Sequence, residues 1–212
     1  MTHPGRLFLA VGLLAIVTAY HAAWAGEKAA PADQYRHGDI VIPAATADEP
    51  VRMELSLPQA ADYLEKGALA WTKSRKCVSC HTNGVYQQIR PALTPWLGTP
   101  SDEVRAHFVD TVTNFKNEPH EKLLVGIRPT QIAYVALGLA EWDAHVTRAL
   151  SPETDEALKL MFRVQSSSGE WGNTECWPPF ESSSYHGTTV AAMAAATAPG
   201  WLSGLKDEAL LD

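Results

Sequence analysis

From Pro58 onward the apolar side chains recur every three or four residues and do not alternate, a spacing that predicts helices. Ala61, Leu64, Ala68 and Trp71 share one face of a first helix starting near Pro58, where a first-turn proline is tolerated. A second is expected from Thr99-Pro100-Ser101-Asp102-Glu103, with Thr99 as cap, Pro100 in the first turn and a stripe of Val104, Phe108, Val112 and Phe115. The run from Pro129 to about Val146 carries Ile132, Val135, Leu139 and Trp142 on one face. Ala133, Tyr134, Ala136, Leu137 and Ala140 make its other faces apolar as well, which predicts a helix buried on most sides. Ser151-Pro152-Glu153 repeats the cap-then-proline start and leads to Leu158, Met161, Phe162 and Gln165. Ser182 to Thr197 places His186, Val190, Met193 and Thr197 at helical spacing; Pro199-Gly200 ends it, and Leu202 to Leu211 opens another.

The fold class is therefore all-α. Amphipathic helices starting near residues 58, 100, 152 and 203 alternate with buried or small-residue segments near 84, 129 and 183. Outer and inner helices in pairs of roughly 40 to 50 residues account for this, because each pair buries a face against its neighbours.

The N-terminus departs from this pattern. One positive charge in Met1 to Arg6, an apolar run from Leu7 to Ala19 and small residues at Ala23 and Ala25 read as a signal peptide, residues 1–25, cleaved after Ala25. The run meets Tyr20 and His21 before it is long enough to span a bilayer, so no transmembrane segment is expected after cleavage, and the mature protein is expected in the periplasm or otherwise exported. Residues 26–55, with Ala, Pro and scattered charge but no period, read as a linker or mobile arm; residues 56–212 form the helical domain. Seventeen Lys and Arg against 24 Asp and Glu give the 212-residue chain a net charge of −7, which disfavours a nucleic-acid partner.

One motif carries specific chemistry. Cys77-Val78-Ser79-Cys80-His81 has the C-x-x-C-H spacing of covalent haem attachment, in which each thiol forms a thioether to one vinyl group and the adjacent imidazole ligates the iron. The motif resembles that of c-type cytochromes, as does the continuation His81-Thr82-Asn83-Gly84 followed by Pro91-Ala92-Leu93. The resemblance implies one covalent haem c on Cys77 and Cys80 with His81 as proximal iron ligand. Lys73, Arg75 and Lys76 are placed to meet propionates, although a basic helix end needs only the helix dipole to explain it. A structural disulfide is the main alternative; a thioredoxin-like pair would follow a strand, and zinc lacks a fourth donor at a suitable spacing. No Met lies between His81 and Met161, so a compact small-cytochrome domain is not expected. The distal candidates are His186, Met161 and Met193, with His107 and His145 on neighbouring helical positions and an open five-coordinate iron as the alternative. Cys176, between Trp171 and Trp177, reads as a buried thiol, and Glu118, His120 and Glu121 as a solvated turn. Asp143 and His145 do not face each other as an acid-base pair.

The segment from Leu160 to Trp171, with Gln165, Gly169 and Trp171, resembles the QW repeat of the terpenoid cyclase and protein prenyltransferase superfamily. That resemblance implies an α/α toroid over about residues 55 to 212. The chain has room for about three and a half helix pairs where such toroids have five or more, so an incomplete ring, a fragment of a longer one, or an oligomer that completes it is expected. The Asp-x-Asp-Asp acid of squalene-hopene-type cyclases does not occur, and the zinc-binding trio of prenyltransferases has no counterpart. The leading reading is thus an electron carrier rather than an enzyme: a periplasmic monohaem cytochrome serving an unidentified redox partner. The alternatives are a cyclase-like protein binding an isoprenoid or other apolar ligand, and a haem-bearing interaction module.

Overall fold

A computed structural model describes residues 36–42, 46–172 and 183–205. Residues 1–25, expected as a signal peptide, parts of the 26–55 stretch and Cys176 lie outside the described residues.

The arm contains a small structured piece where none was expected. Strands β1 (Arg36–His37) and β2 (Ile40–Val41) pair antiparallel and pack on helix α1 (Leu57–Arg75). Gly38, at φ 57°, supplies the left-handed conformation that this tight turn needs. Strands of two residues are too short to display an alternating pattern, and their support is the tertiary contact with α1.

Elsewhere the chain is helical. After α1 come α2 (Asn83–Ile89), a 3-10 turn at Pro91–Leu93, α3 (Thr94–Leu97), α4 (Glu103–Lys116), α5 (His120–Leu123) and α6 (Arg128–Trp142). A π-turn at Asp143–Thr147 leads to α7 (Pro152–Arg163), followed by α8 (Ser184–Thr197) and the short α9 (Trp201–Gly204). No helix among the described residues is long and apolar enough to cross a membrane.

The helices pack in two rows. In one row α6 lies between α2 and α8; in the other α4 touches both α1 and α7. Each helix of the second row packs on the one that follows it in the first, α1 on α2, α4 on α6 and α7 on α8. Every residue of α6 from Pro129 to Trp142 is buried, as its apolar circumference requires. Val104, Phe108, Val112 and Phe115 are the buried stripe of α4. Gly138 lets α4 come close: a Cβ there would lie 2.7 Å from the Phe108 ring and 2.8 Å from the Gln87 side chain.

Several details differ from the sequence expectation. Helix α4 begins at Glu103 rather than at Thr99; Gly98 (φ 74°) turns the chain, and Pro100 is buried ahead of the helix instead of in its first turn. Leu64 is exposed on α1, whose buried positions are Ala61, Ala68 and Ala70. Met193 is also exposed, at 48%, because α8 packs through the small residues Gly187, Ala191, Ala194 and Ala195 together with Val190. The last helix is only four residues within the described chain.

The cap before α7 is as expected. The Ser151 hydroxyl accepts from the Thr154 amide at 3.3 Å and donates to Asp143 Oδ2 at 2.8 Å, while the Ser151 amide donates to the same oxygen at 2.6 Å. The fully buried Asp143 therefore anchors the turn, and His145 pairs instead with Glu141, at 3.2 Å. At the other end of α7, Trp171 is 5% exposed, donates from Nε1 to the Met161 carbonyl at 2.7 Å and meets Phe162 edge to face at 5.4 Å. Its amide donates to Thr188 Oγ1 on α8, so Trp171 covers the joint between α7 and α8. Gln165 does not reach α8: its Nε2 donates to the Gly169 carbonyl at 2.8 Å and closes its own turn. Gly169, at φ 89°, folds that carbonyl back within reach.

Candidate functional site

The Cys77 to His81 segment is the loop between α1 and α2. Helix α1 stops at Lys76, which takes a left-handed conformation (φ 54°) while its amide still bonds the Thr72 carbonyl at 3.2 Å. The chain then turns sharply, and three successive carbonyls need partners away from any helix. Trp71 Nε1 and Asn83 Nδ2 donate to the Cys77 carbonyl at 3.1 and 2.9 Å, and Gln131 Nε2 on α6 donates to that of Val78 at 3.0 Å. The Gly84 amide donates to the Ser79 carbonyl at 2.9 Å.

Asn83 is the centre of this arrangement. Fully buried, it also accepts from the Ser79 amide through Oδ1 at 2.9 Å and donates to Thr72 Oγ1 at 3.1 Å, tying α1, the loop and α2 together. Gly84 is required beside it, since a Cβ would sit 2.3 Å from the Ser79 carbonyl oxygen. Neither role was legible from spacing, although Asn83-Gly84 lies only one residue beyond the motif. Gln131 had a signal: an amide within a helix apolar on every side must find a buried partner.

Of the motif side chains, Cys77 is half-buried and in no disulfide, Cys80 is 4% exposed, and His81 is exposed. His81 Nδ1 turns inward, 3.4 Å from Ser79 Oγ and 3.6 Å from Cys80 Sγ, and the ring meets Trp71 edge to face at 5.1 Å. With Nδ1 held by the loop, Nε2 is the nitrogen left for a ligand. The residues fit covalent haem: two thiols and an oriented imidazole sit on one braced loop, and thioether attachment needs no closed cage of protein donors. Among the described residues, no group of three or more His, Cys, Asp or Glu side chains is arranged to hold a metal ion. The basic residues before the motif divide. Lys73 pairs with Glu103 at 2.8 Å and Arg75 lies over the Trp71 ring at 5.9 Å, whereas Lys76 lines the recess into which Cys77 faces.

That recess, about 320 Å³, lies between the loop, α4 and the start of α6, and His107 and Gln131 share its wall with Cys77. Burial holds the His107 ring below its ordinary pKa, with Asp110 and the Cys77 main chain opposing the shift. A smaller recess of about 120 Å³ lies beside His81, bounded by Ile42, Leu64 and Val85.

The distal candidates are dispersed. Met161 is fully buried in the core of α7, Met193 is exposed on α8, and His186 Nε2 lies 2.6 Å from the Tyr134 hydroxyl, between α8 and α6. None of the three lines either recess beside the motif. Glu118 is more than a solvated turn residue, since it pairs with Arg128 at 3.5 Å, whereas His120 and Glu121 are exposed. Compared with family models, curated proteins and solved structures, the chain matches none of them.

Proposed function

We propose that this chain is an exported monohaem c-type cytochrome, built as an incomplete α/α toroid and serving electron transfer. The observation that carries the reading is the bracing of the C-x-x-C-H loop. Asn83, Trp71 and Gln131 satisfy the carbonyls of Cys77 and Val78, and the inward Nδ1 of His81 leaves Nε2 for ligation. The bound haem would supply a one-electron couple whose potential depends on its axial ligands and surroundings. The chain's own part is to hold Cys77 and Cys80 for attachment, orient the His81 ring against Trp71, and keep Lys76 at the rim for an anionic substituent. The two rows of helices and the Trp171 joint support the toroid reading.

The test is intact mass of the mature chain from a host with a working haem-attachment system. One added haem is expected, abolished by Cys77→Ala with Cys80→Ala. An unmodified mass from that host overturns the reading.

A further inference from the structure

The segment that leads into α1 stands in solvent. Val51, Met53 and Leu55 are 87%, 96% and 93% exposed, more than any other large apolar side chain among the described residues. Among those residues no main-chain group from Val51 to Leu55 is hydrogen-bonded, and neither Arg52 nor Glu54 has an ion-pair partner. The chain bends at Met53 and Glu54, and no bond within the molecule opposes straightening it.

Five residues are too few to register as a period across the 26–55 stretch, yet Val51-Arg52-Met53-Glu54-Leu55 alternates strictly. Drawn out as a strand, it puts three apolar side chains on one face and the two charges on the other. Pro50, which has no amide to give a ladder, bounds it on one side, and Ser56, at the N-cap position of α1, on the other.

The pattern is complementary to its own reverse. In an antiparallel pair of two copies centred on Met53, Arg52 of each stands opposite Glu54 of the other, Met53 faces Met53, and Val51 faces Leu55. All the apolar side chains then share one face and shield one another from water. A slip of two residues sets Arg52 against Arg52 or Glu54 against Glu54, a slip of one mixes charged with apolar faces, and an in-register parallel pair opposes like charges at both positions. One arrangement satisfies every position.

We propose that Val51 to Leu55 is a self-recognition strand, through which two copies of this chain pair antiparallel about a two-fold axis at Met53. The contact is the same patch on both copies, so it closes at two. Two short strands hold weakly in water, so the dimer forms as concentration rises. The haem motif plays no part in it.

Sedimentation velocity of the intact mature chain, from micromolar to millimolar concentration, is the test. Wild type should pass from monomer to dimer. Arg52→Glu sets carboxylates opposite one another at both charged pairs and should weaken the dimer about tenfold or more. Arg52→Glu combined with Glu54→Arg reverses both pairs and should restore wild-type association. Under oxidation Met53→Cys should join two copies, since its Cβ meets its own counterpart at about 4.5–5.5 Å, whereas Val51→Cys, opposite Leu55, should cross-link no more than wild type. These side chains contact nothing within the chain, so circular dichroism should be the same for all variants. A monomer at every concentration, a dimer indifferent to Arg52→Glu or not recovered by the double exchange, or an assembly that grows beyond two overturns the proposal.

Discussion

Asn83 makes three hydrogen bonds with one buried amide, and two of them end on the main chain of the motif. Asn83→Ala strands the buried Ser79 amide and takes one donor from the Cys77 carbonyl, at an expected cost of about 2–3 kcal/mol of stability, read from denaturant unfolding. Asn83→Asp keeps the acceptor for Ser79 but turns a carboxylate oxygen on the Cys77 carbonyl in a site shut off from water, so it should destabilise at least as much as Ala. Gly84→Ala should also destabilise, by about 1–3 kcal/mol, because its methyl meets a main-chain oxygen that cannot rotate away. Equal stability of wild type and both alanine variants would show that the loop does not depend on this bracing. These roles were hidden because they depend on α1, α2 and α6 meeting at the loop. The cysteines and His81 stood out because the C-x-x-C-H spacing is local in the sequence, whatever the fold around it.

At the scale of helices, packing against neighbours explains both what the periodicity revealed and what it missed. The stripe of α4 and the all-round apolarity of α6 were legible because large side chains repeat at the helical period and bury as a set. In α8 the same reasoning chose the larger residues and put Met193 inside, but close approach to α6 selects Gly and Ala, leaving Met193 in solvent. The contact of α4 with α6 depends likewise on an absent side chain. Gly138→Ala drives a methyl toward Phe108 and Gln87 and should cost about 1–3 kcal/mol, visible as a lower melting temperature. An unchanged melting temperature would mean that the two helices separate freely.

The end of α6 adds a pH term. Burial raises the Glu141 carboxyl above its ordinary 4.5, while His145 and the Thr197 hydroxyl partly oppose the shift. The folded chain then holds this proton more tightly than the unfolded one, so the contribution of Glu141 to stability is greatest in acid and declines as pH rises from 4.5 through the folded value. Glu141→Gln keeps an oxygen for Thr197 and removes the charge. It should make the protein more stable than wild type above that window and erase this part of the slope, as read from urea midpoints against pH. The partly exposed His145 pair, which the variant also loses, is worth too little to reverse the sign. A variant less stable than wild type at neutral pH would show that the pair outweighs the burial.

Among the described helices, α6 is the one that ties its own row to the other: α2 and α8 flank it, and α4 and α7 lie across it. Whatever separates those rows must expose Ile132, Val135, Leu137 and Leu139, each 1% exposed or less, in a single event. The hairpin β1–β2 stands at the periphery, packed on α1, whereas α9 is anchored by Trp201, 3% exposed, stacked on Phe162 and bonded to Asp155 Oδ1. Native-state hydrogen exchange should resolve this hierarchy. Amides of α6 from Ile132 to Ala140 should exchange only through global unfolding, with free energies equal to the denaturant value. Those of Arg36 to Val41 should exchange through local opening well below it. The loop that carries Cys77 and Cys80 should follow α6 more nearly than its irregular backbone suggests, because Gln131 ties its Val78 carbonyl to that helix. If α6 exchanged ahead of α1 or α4, the rows would be opening separately and the central helix would not be what unites them.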